Sequence, residues 1–362
     1  MSASAAPAGS SAVDALPHTW PDVLTALVNG RDLDQAAATW AMNQVLSGDS
    51  TPVQIAGFAV AMRAKGETIT EVAGLADAML DKAAQIELDR EAVDVVGSGG
   101  DRANTVNIST MASMVAAAAG ARVVKHGNRA ASSQTGTADC LEALGVSLDV
   151  PVEAHAALLA DLGITFLFAA KFHQALRFAA PARKELGIQT FFNFLGPLAN
   201  PARPLAQAVG VANARMAPLM AGVLAGRGGR GMVFHGGDGL DELTTTTTST
   251  VWLFRDGRVV ETTLDPTELG LQPAVPADLV GGPPAHNAQV VRDLFAGATG
   301  PVRDIVTLNA AAALLAFHGP DLDVPLVEQL RVRVDEASAA LDSGACARLL
   351  DRWVERSQAV SG

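Results

Sequence analysis

The sequence predicts a small N-terminal all-helical domain followed by a larger α/β domain with a mostly parallel central sheet flanked by helices. Helical periodicity without strand-like alternation runs from Trp20 to about Ala84. After Leu88 the pattern changes to short β-rich runs, each followed by a glycine turn and a helix. Such alternation favours parallel strands connected by helices. We therefore expect a flexible tail over residues 1–17, a helical domain over 18–86 and an α/β domain over 87–362.

The composition excludes several classes of protein. The chain has 362 residues, of which 49% are hydrophobic and 18% charged, so it can bury a sizeable core. Its net charge of −12 has the wrong sign for nonspecific nucleic-acid binding. Cys140 and Cys346 lie outside any CxxC pattern, which argues against a disulfide framework or a zinc site. Without a long apolar run or a secretory signal pattern, the sequence predicts a cytoplasmic protein with no membrane partner.

Start and stop signals divide the helical region into four helices. The first carries Val23 and Leu27 on one face, and the second is opened by Asp32 or Asp34 and ends near Gly48. Pro suits the first turn of a helix, so Thr51-Pro52 predicts the start of the third, which runs to Lys65-Gly66. The fourth is expected to start near Thr68 or Thr70.

The α/β region is read as a series of strands and helices. Helices are predicted over Asn107–Ala119 and Asp139–Leu144, each ended by a glycine. A hairpin is predicted at Asp256-Gly257, and the threonine-rich run 244–250 is expected to be a β-prone surface strand. The predicted strands are Ala92–Val96, Val123-Val124, Ile164–Phe168, Ala208–Val211, Met232–Phe234 and Val251–Phe254.

The first candidate site is VDVVGSGGDRANTVNIST, residues 93–110, where a strand runs into a glycine turn and a helix. Glycines allow close approach of a ligand to the backbone, and Asn107, Ser109 and Thr110 are typical capping residues at a helix start. A helix N-terminus of this kind attracts phosphate. The alternative is an ordinary tight turn with an N-cap, because the motif matches neither GxGxxG nor a Walker loop.

The second candidate is KHGNRAASSQTG, residues 125–136, which follows the next strand. Lys125 and Arg129 supply cations, and Ser132 and Ser133 supply hydroxyl groups, at the same edge of the predicted sheet as the first loop. Two neighbouring strands would then offer phosphate ligands to one crevice. The alternative is that Lys125 and Arg129 are solvated loop charges.

The third candidate is HGGDGLDE, residues 235–242. Asp238, Asp241 and Glu242 place carboxylates in a glycine-rich loop without nearby cysteine, and Mg²⁺ prefers such oxygen ligands. An acidic turn by itself is more often solvated than metal-bound. Beside two phosphate-type loops, a metal site becomes the better interpretation.

The fourth candidate is the segment 166–201, in which Pro181 is expected to interrupt and bend an amphipathic helix. Arg183 near that break could bind a carboxylate with its planar fork. The alternative is a helix-surface arginine paired with Glu185. His126 and His173 have no metal-ligand spacing, so we interpret both as packing or pocket-lining groups.

These four segments, in this order, resemble the anthranilate phosphoribosyltransferase family, and LSGDSTPVQIAGFAVAMRAKGET in the helical region agrees with it. The resemblance covers nearly the whole chain from about residue 20. It implies transfer of phosphoribose from phosphoribosyl pyrophosphate (PRPP) to anthranilate, the second step of tryptophan biosynthesis from chorismate. It also implies Mg²⁺, two ions per subunit, and a homodimer that associates through the helical domain.

The resemblance further implies roles for individual residues. Gly97, Asn128 and Arg183 match the anthranilate contacts of the family. Ser109, Asp241 and Glu242 match its magnesium ligands. The positions that match its PRPP-binding residues are Gly97, Gly100, Asp101, Thr105, Asn107, Ile108, Ser109, Thr110, Lys125, His126, Gly127, Asn128, Arg129, Ala130, Ala131, Ser132, Ser133 and Thr137.

The sequence departs from the family pattern at Ser98, Ala170 and Thr137, of which Ala170 borders the expected acceptor route. None of the motifs presents a convincing general acid or base. A pyrimidine nucleoside phosphorylase is an alternative, but it would carry a KMSGR-type segment in place of KHGNR. A nonenzymatic nucleic-acid-binding relative would need a basic face, and a structural scaffold with decayed loops would not retain Lys125, Arg183, Asp241 and Glu242.

Overall fold

The computed structural model describes residues 18–130 and 133–361. The predicted tail at 1–17 and the predicted site residues Ala131 and Ser132 therefore lie outside the described residues. The helical region contains α1 (Trp20–Val28), α2 (Gln35–Ser47), α3 (Pro52–Lys65) and α4 (Ile69–Asp81).

The predicted start and stop signals of these helices are confirmed. Asp34 caps α2 by accepting from the Ala37 N–H, and Gly48 ends the helix in the left-handed conformation. Thr51 and Thr68 form capping boxes at the starts of α3 and α4.

The α/β region is built on a seven-stranded sheet in the order β3-β2-β1-β4-β5-β6-β7. The first five strands pair in parallel, and the last two are antiparallel. Asp256 and Gly257 both have positive φ in the turn between β6 and β7, as the predicted hairpin requires. The strands are β1 (Val93–Gly97), β2 (Val123–Gly127), β3 (Ile164–Phe168), β4 (Ala206–Gly210), β5 (Arg230–Gly236), β6 (Ser249–Arg255) and β7 (Arg258–Leu264). The predicted fold class, a helical domain followed by a mostly parallel α/β domain, is confirmed.

Helices cover both faces of the sheet. One core lies between the sheet and the helices around α12 (Pro301–His318), whose apolar centre is buried from Ile305 to Ala316. A second core joins the other face to the helical region, because Phe58 of α3 and Phe254 of β6 belong to one buried cluster. The helices after β1 are α5 (Ile108–Ala118), α6 (Thr137–Leu144), α7 (His155–Leu162), α8 (Ala169–Phe172), α9 (Ala180–Leu186), α10 (Ala217–Gly226), α11 (Pro284–Phe295), α12 (Pro301–His318), α13 (Leu326–Asp342) and α14 (Ala345–Val360).

Two sequence predictions about local structure are wrong. The run 244–250 is mostly a loop, buried at Thr244 and Thr245, and only Ser249 and Thr250 belong to β6. Thr244 is buried because its hydroxyl donates to Asp238, so internal hydrogen bonds replace strand pairing. Pro181 does not bend a long helix; it occupies the first turn of the short helix α9, where a missing N–H has no cost.

None of the helices in the described part of the chain is long and apolar enough to cross a membrane.

Candidate active site

The crevice of interest lies where the connections of the sheet reverse direction. From β1 the chain passes to β2 and β3 on one side, and β4 then pairs with β1 on the other side. Gly97 and Gly210 are register partners at the carboxyl ends of β1 and β4, and the Ser98 N–H donates to the Gly210 carbonyl at 2.9 Å. Ligands of open α/β sheets bind outside the strand ends at such a switch point.

The acidic loop that follows β5 packs directly on these two strand ends. A Cβ at Gly97 would lie 2.2 Å from Asp241 Oδ2, and one at Gly210 would lie 1.6 Å from the Asp241 carbonyl oxygen. The Gly99 N–H donates to Asp241 Oδ2 at 2.7 Å. Glycine is therefore required at both strand ends, because the Asp241 side chain fills the space of a Cβ at Gly97 and the Asp241 backbone fills it at Gly210.

Burial and like charge dominate the electrostatics of the acidic loop. Burial, followed by repulsion from Asp101, raises the pKa of Asp241 to about 7. Burial and repulsion from Asp241 raise the pKa of Glu242 well above its ordinary value, while the Ser109 backbone N–H acts in the opposite direction. Two buried carboxylates that repel each other beside a serine form an oxygen-rich site that fits a hard cation such as Mg²⁺.

Asp238, the third carboxylate of the motif, is used inside its own loop. Its Oδ2 accepts hydrogen bonds from the hydroxyl groups of Thr244 and Thr246, and its Oδ1 accepts from the Leu240 N–H. Asp238 therefore fixes the loop that carries Asp241 and Glu242.

The first predicted loop is held in an unusual backbone conformation. Arg102 and Asn104 both have positive φ, which is uncommon outside glycine. A bridge between Thr105 and Val280 fastens the loop to the segment before α11. Asn107 occupies the N-cap position of α5, but its side chain makes no capping hydrogen bond, so the predicted capping role is wrong. Its amide is bonded to Thr135 and Asn287 instead.

The second predicted loop does not present two solvent-facing cations. Lys125 is buried, and its ammonium group donates to the Val95 carbonyl. Burial lowers the pKa of Lys125 to about 8, and the charges of Asp94, Glu242 and Asp241 oppose this shift. Lys125 therefore compensates the charge of the acidic loop from beneath.

Arg129 lies at the surface and is paired with two carboxylates of α6. Its guanidinium is 2.8 Å from Asp139 and 2.9 Å from Glu142. Asp139 also accepts from the backbone N–H groups of Ala130 and Gly136, so it organises this loop.

The remaining residues that are predicted to bind PRPP lie around the carboxyl ends of the strands. Thr110 on the first turn of α5 donates to Thr137 on the first turn of α6 at 3.3 Å, which connects the two loops. Gly127 ends β2, and Asn128 accepts from the Arg129 N–H. Ile108 is buried, and the Ser133 hydroxyl contacts the Thr135 carbonyl. Gly100 lies against Gln189, a residue that the sequence analysis did not single out.

Arg183 lies on α9 with its guanidinium 5.2 Å from the centre of the Phe192 ring. Burial lowers the pKa of Arg183. Among the ion pairs of the described residues Arg183 has none, so the predicted alternative of pairing with Glu185 is not realised. It lines a cavity of ≈ 260 Å³ together with Lys184, Ile188, Thr190 and Asn193. Its charge is available for an anionic ligand.

His126 and His173 pack against each other, with ring centroids 5.1 Å apart in an edge-to-face arrangement. Burial lowers the pKa of His126 to about 3 and also lowers the pKa of His173. Both rings are therefore neutral at physiological pH. The geometry agrees with the interpretation of these residues as packing groups.

Two buried asparagines were missed by the sequence analysis. Asn309 on α12 accepts from the Leu243 N–H and donates to the Leu243 carbonyl, so it anchors the acidic loop. Asn287 on α11 donates a hydrogen bond to Asn107 in the first predicted loop. The only signal for Asn309 is an amide inside the apolar run LNAAAALLA, because a buried amide requires hydrogen-bond partners.

Comparisons with known proteins agree with this architecture. Residues 21–83 match the helical bundle domain of the glycosyl transferase family, and residues 89–347 match its a/b domain. The anthranilate phosphoribosyltransferase of Acidothermus cellulolyticus is 58% identical over 344 residues, which are 95% of this chain and 97% of that protein. The corresponding protein of Nocardioides is 57% identical over 336 residues, 93% of this chain and 98% of that protein.

Solved structures show the same relationship. The crystal structure of anthranilate phosphoribosyltransferase from Thermus thermophilus has a TM-score of 0.86 and 40% identity, and the match covers 93% of this chain and 99% of that one. The Saccharomyces cerevisiae enzyme in complex with PRPP and Mg has a TM-score of 0.83 at 25% identity, covering 94% of this chain and 98% of that one. The chain therefore belongs to the anthranilate phosphoribosyltransferase family.

Proposed function

We propose that this protein transfers phosphoribose from PRPP to the amine of anthranilate, giving N-(5-phosphoribosyl)anthranilate and pyrophosphate. The single observation that carries the proposal is the acidic loop packed on the glycine ends of β1 and β4, beside the N-terminus of α5. This arrangement brings carboxylates for a cation and N–H groups for phosphate to one crevice. In this role the protein catalyses the second step of tryptophan biosynthesis from chorismate.

The donor is assigned to the crevice between the first and second loops. Backbone N–H groups at the start of α5 attract phosphate through their unsatisfied hydrogen bonds and the helix dipole. The proposed PRPP contacts are the predicted set from Gly97 to Thr110 and from Lys125 to Ser133, with Thr137. The buried Lys125 ammonium adds positive potential beneath the crevice.

Ser109, Asp241 and Glu242 would hold Mg²⁺, and we propose two ions per subunit. When bound, Mg²⁺ neutralises negative charge on the pyrophosphate group. The Saccharomyces cerevisiae relative is described in complex with PRPP and Mg, which supports this assignment. The residues fit the ion because Asp241 and Glu242 are buried, close to each other and without a salt bridge to a cation among the described residues.

Anthranilate is assigned to the Arg183 side, with Gly97 and Asn128 as the other proposed contacts. Its carboxylate would bind the guanidinium, which has no competing partner among the described ion pairs. The ribose C1–oxygen bond breaks as the C1–nitrogen bond forms, and the proton of the amine passes to solvent. An aromatic amine is already a nucleophile at neutral pH, so positioning is the main task of the acceptor side.

We further propose a homodimer formed through the helical region. Val53 and Val60 lie exposed on the outer face of α3, and Val28 is exposed at the end of the neighbouring α1. Exposed apolar residues on one face favour association. Light scattering of the wild-type protein and of a Val60→Glu variant tests this assignment.

We also propose that the enzyme is cytoplasmic. Cys140 and Cys346 are both buried and unpaired, as is usual for a reducing compartment.

The experiment that tests the reaction is a fluorescence assay of anthranilate consumption with purified protein, PRPP and Mg²⁺, and a parallel assay with thymidine and phosphate. Metal-dependent loss of anthranilate is the expected result. Thymidine cleavage without anthranilate consumption would identify a nucleoside phosphorylase instead, and inactivity in both assays would favour a binding protein.

A further inference from the structure

The N-terminus of α5 differs from the helix starts of the helical region. Thr19, Asp34, Thr51 and Thr68 each use their side chain to accept from a backbone N–H of the first turn. Asn107 stands at the same position of α5 and is an equally good capping residue, yet it makes no such bond. Its backbone also differs, with ψ 71° where the four capping residues have ψ between 156° and 168°.

The partners of the Asn107 amide hold its side chain away from the helix start. Its Nδ2 donates to the Thr135 carbonyl at 3.2 Å, and its Oδ1 accepts from Asn287 Nδ2 at 2.8 Å. Asn287 is 2% exposed and comes from α11, outside the four candidate segments. Both polar ends of the Asn107 amide are therefore occupied away from the helix.

The polarity of this chain of hydrogen bonds is fixed at both ends by the backbone. The Gly282 N–H can only donate, so it determines that Asn287 presents Oδ1 to it, at 2.8 Å. Asn287 must then present its NH₂ group to Asn107. The Thr135 carbonyl can only accept, so it takes the NH₂ group of Asn107. One orientation of the two amides satisfies all four groups.

This arrangement leaves the start of α5 available to an anion. The Ser109 N–H faces the Glu242 carboxylate, so the group that a capping Asn107 would take from phosphate is the Thr110 N–H. We propose that Asn287 is a positioning residue for the phosphoribosyl donor, which prevents Asn107 from capping α5 and thereby keeps the Thr110 N–H free for phosphate. The inference rests on the proposed function, because it assigns the donor phosphates to this helix start.

The test is an Asn287→Asp variant. The change retains the acceptor for the Gly282 N–H but removes the donor to Asn107 Oδ1. Asn107 must then either turn its NH₂ group toward position 287, which sets its oxygen against the Thr135 carbonyl, or leave the chain and cap α5. We expect the KM for PRPP and the PRPP dissociation constant from calorimetry to rise about tenfold at saturating Mg²⁺. The KM for anthranilate should change less than twofold.

The matched control is Gln289→Glu, the same amide-to-acid change on the exposed face of α11. It should leave both KM values unchanged. A merely structural role of Asn287 would lower the active fraction and kcat without separating the two KM values, and that result would overturn the proposal. An unchanged KM for PRPP in an active Asn287→Asp variant would also overturn it.

A double-mutant cycle tests whether Asn287 acts on PRPP binding through Asn107. It also replaces the first test if Asn287→Asp does not fold. Asn287→Ala should weaken PRPP binding in the wild-type background and change it less than twofold in an Asn107→Ala background. Equal effects in both backgrounds would reject the coupling. Failure of the proposed function is distinguishable, because it would appear as absent turnover and absent PRPP binding in the wild-type protein.

Discussion

The proposed donor side, around the acidic loop and the start of α5, and the proposed acceptor side, around Arg183, are built differently. On the donor side, buried and partly buried hydrogen bonds fix loops from distant parts of the chain: Asn287 binds Asn107, Asn309 binds Leu243, and Gly99 binds Asp241. On the acceptor side, Arg183 lies on a seven-residue helix beside an open cavity. A flexible polyanion requires many fixed partners, whereas a flat aromatic acid requires one cation and an apolar surface.

The same difference is seen in the charges. On the donor side, repulsion between carboxylates adds to burial in raising the pKa of Asp241 and Glu242. On the acceptor side, burial alone lowers the pKa of Arg183. Substitutions on the donor side should therefore alter both the metal dependence of the reaction and the stability of the protein. A substitution of Arg183 should alter only the KM for anthranilate.

The largest expected effect is that of the double substitution Asp241→Asn and Glu242→Gln. It keeps the shape of the loop but removes both buried negative charges, so we expect kcat/KM to fall about 1,000-fold as metal-assisted charge neutralisation is lost. Without metal, the free energy of unfolding should rise, because two buried carboxyl groups that repel each other are replaced by neutral amides. Initial rates over a range of Mg²⁺ concentrations and thermal melts in a chelator measure both effects.

The control for this double variant is Asp256→Asn in the exposed hairpin, where the side chain can adopt the same positive φ. It should change neither kcat/KM nor the free energy of unfolding. Turnover that persists at low Mg²⁺ in the double variant would contradict the assignment of these carboxylates to the metal.

The acceptor side is tested by Arg183→Ala. Loss of a charge-assisted hydrogen bond to a carboxylate should raise the KM for anthranilate about 30-fold, equivalent to about 2 kcal/mol, with less than a threefold change for PRPP. Arg177→Ala is the matched control, because Arg177 also lies over a phenylalanine ring, at 4.6 Å from Phe178, but is exposed. An equal rise of both KM values in Arg183→Ala would show that the two sides are not separable.

Local signals allowed much of the fold to be predicted from the sequence. Asp34, Thr51 and Gly48 determine helix ends through bonds to residues three or four positions away, and the strand Ile164–Phe168 has the predicted bounds. The positions of the glycine-rich and acidic loops also follow from the alternation of strands and helices, because parallel strands place their carboxyl ends at one edge.

What the sequence did not predict depends on contacts between distant residues. Lys125 resembles a solvated phosphate ligand in sequence, but the register of β2 beside β1 buries it next to Asp94. The threonine run resembles a strand, but Asp238 binds two of its hydroxyl groups. Asn107 resembles a helix cap, and the partner that changes its role is 180 residues away.

The dependence of folding stability on pH tests a residue of the scaffold, outside the crevice. His155 on α7 is buried and bonded to Thr165, and burial lowers its pKa to about 4. Because the unfolded chain binds a proton near pH 6.5 and the folded protein does not, its contribution to stability is complete above pH 6.5 and is lost as the pH falls toward 4. At pH 5 the loss is about 2 kcal/mol.

Urea unfolding at pH 7 and pH 5 measures this loss. A His155→Gln variant can still hydrogen-bond Thr165 but cannot titrate. The free energy of unfolding should therefore fall less between pH 7 and pH 5 than in the wild type, by about 2 kcal/mol. His286→Gln, at an exposed position of α11, should behave as the wild type. An undiminished pH difference in His155→Gln would place the acid-sensitive group elsewhere. Neither variant should alter the ratio of the two KM values.

The smallest expected effect concerns Arg129, the least buried cation of the donor side. Glu142 is 56% exposed in its side chain and holds Arg129 by a surface ion pair, which is worth about 0–1 kcal/mol. Glu142→Gln should release Arg129 toward the donor and lower the KM for PRPP about twofold at low salt, with no difference at high salt because of screening. Glu153→Gln, at an exposed position before α7, is the control.

A rise in the KM for PRPP in Glu142→Gln would contradict this expectation and would show that the ion pair positions Arg129 for binding. Asp139 must remain intact in the experiment, because it also binds the N–H groups of Ala130 and Gly136 and its loss would disturb the whole loop. The expected change in the KM for PRPP is about twofold for Glu142→Gln and about tenfold for Asn287→Asp. The comparison shows how much more a buried amide contributes than a surface charge on the same side of the crevice. If the two effects were equal, burial would not be what makes the contribution of Asn287 to PRPP binding larger than that of the Arg129 ion pair.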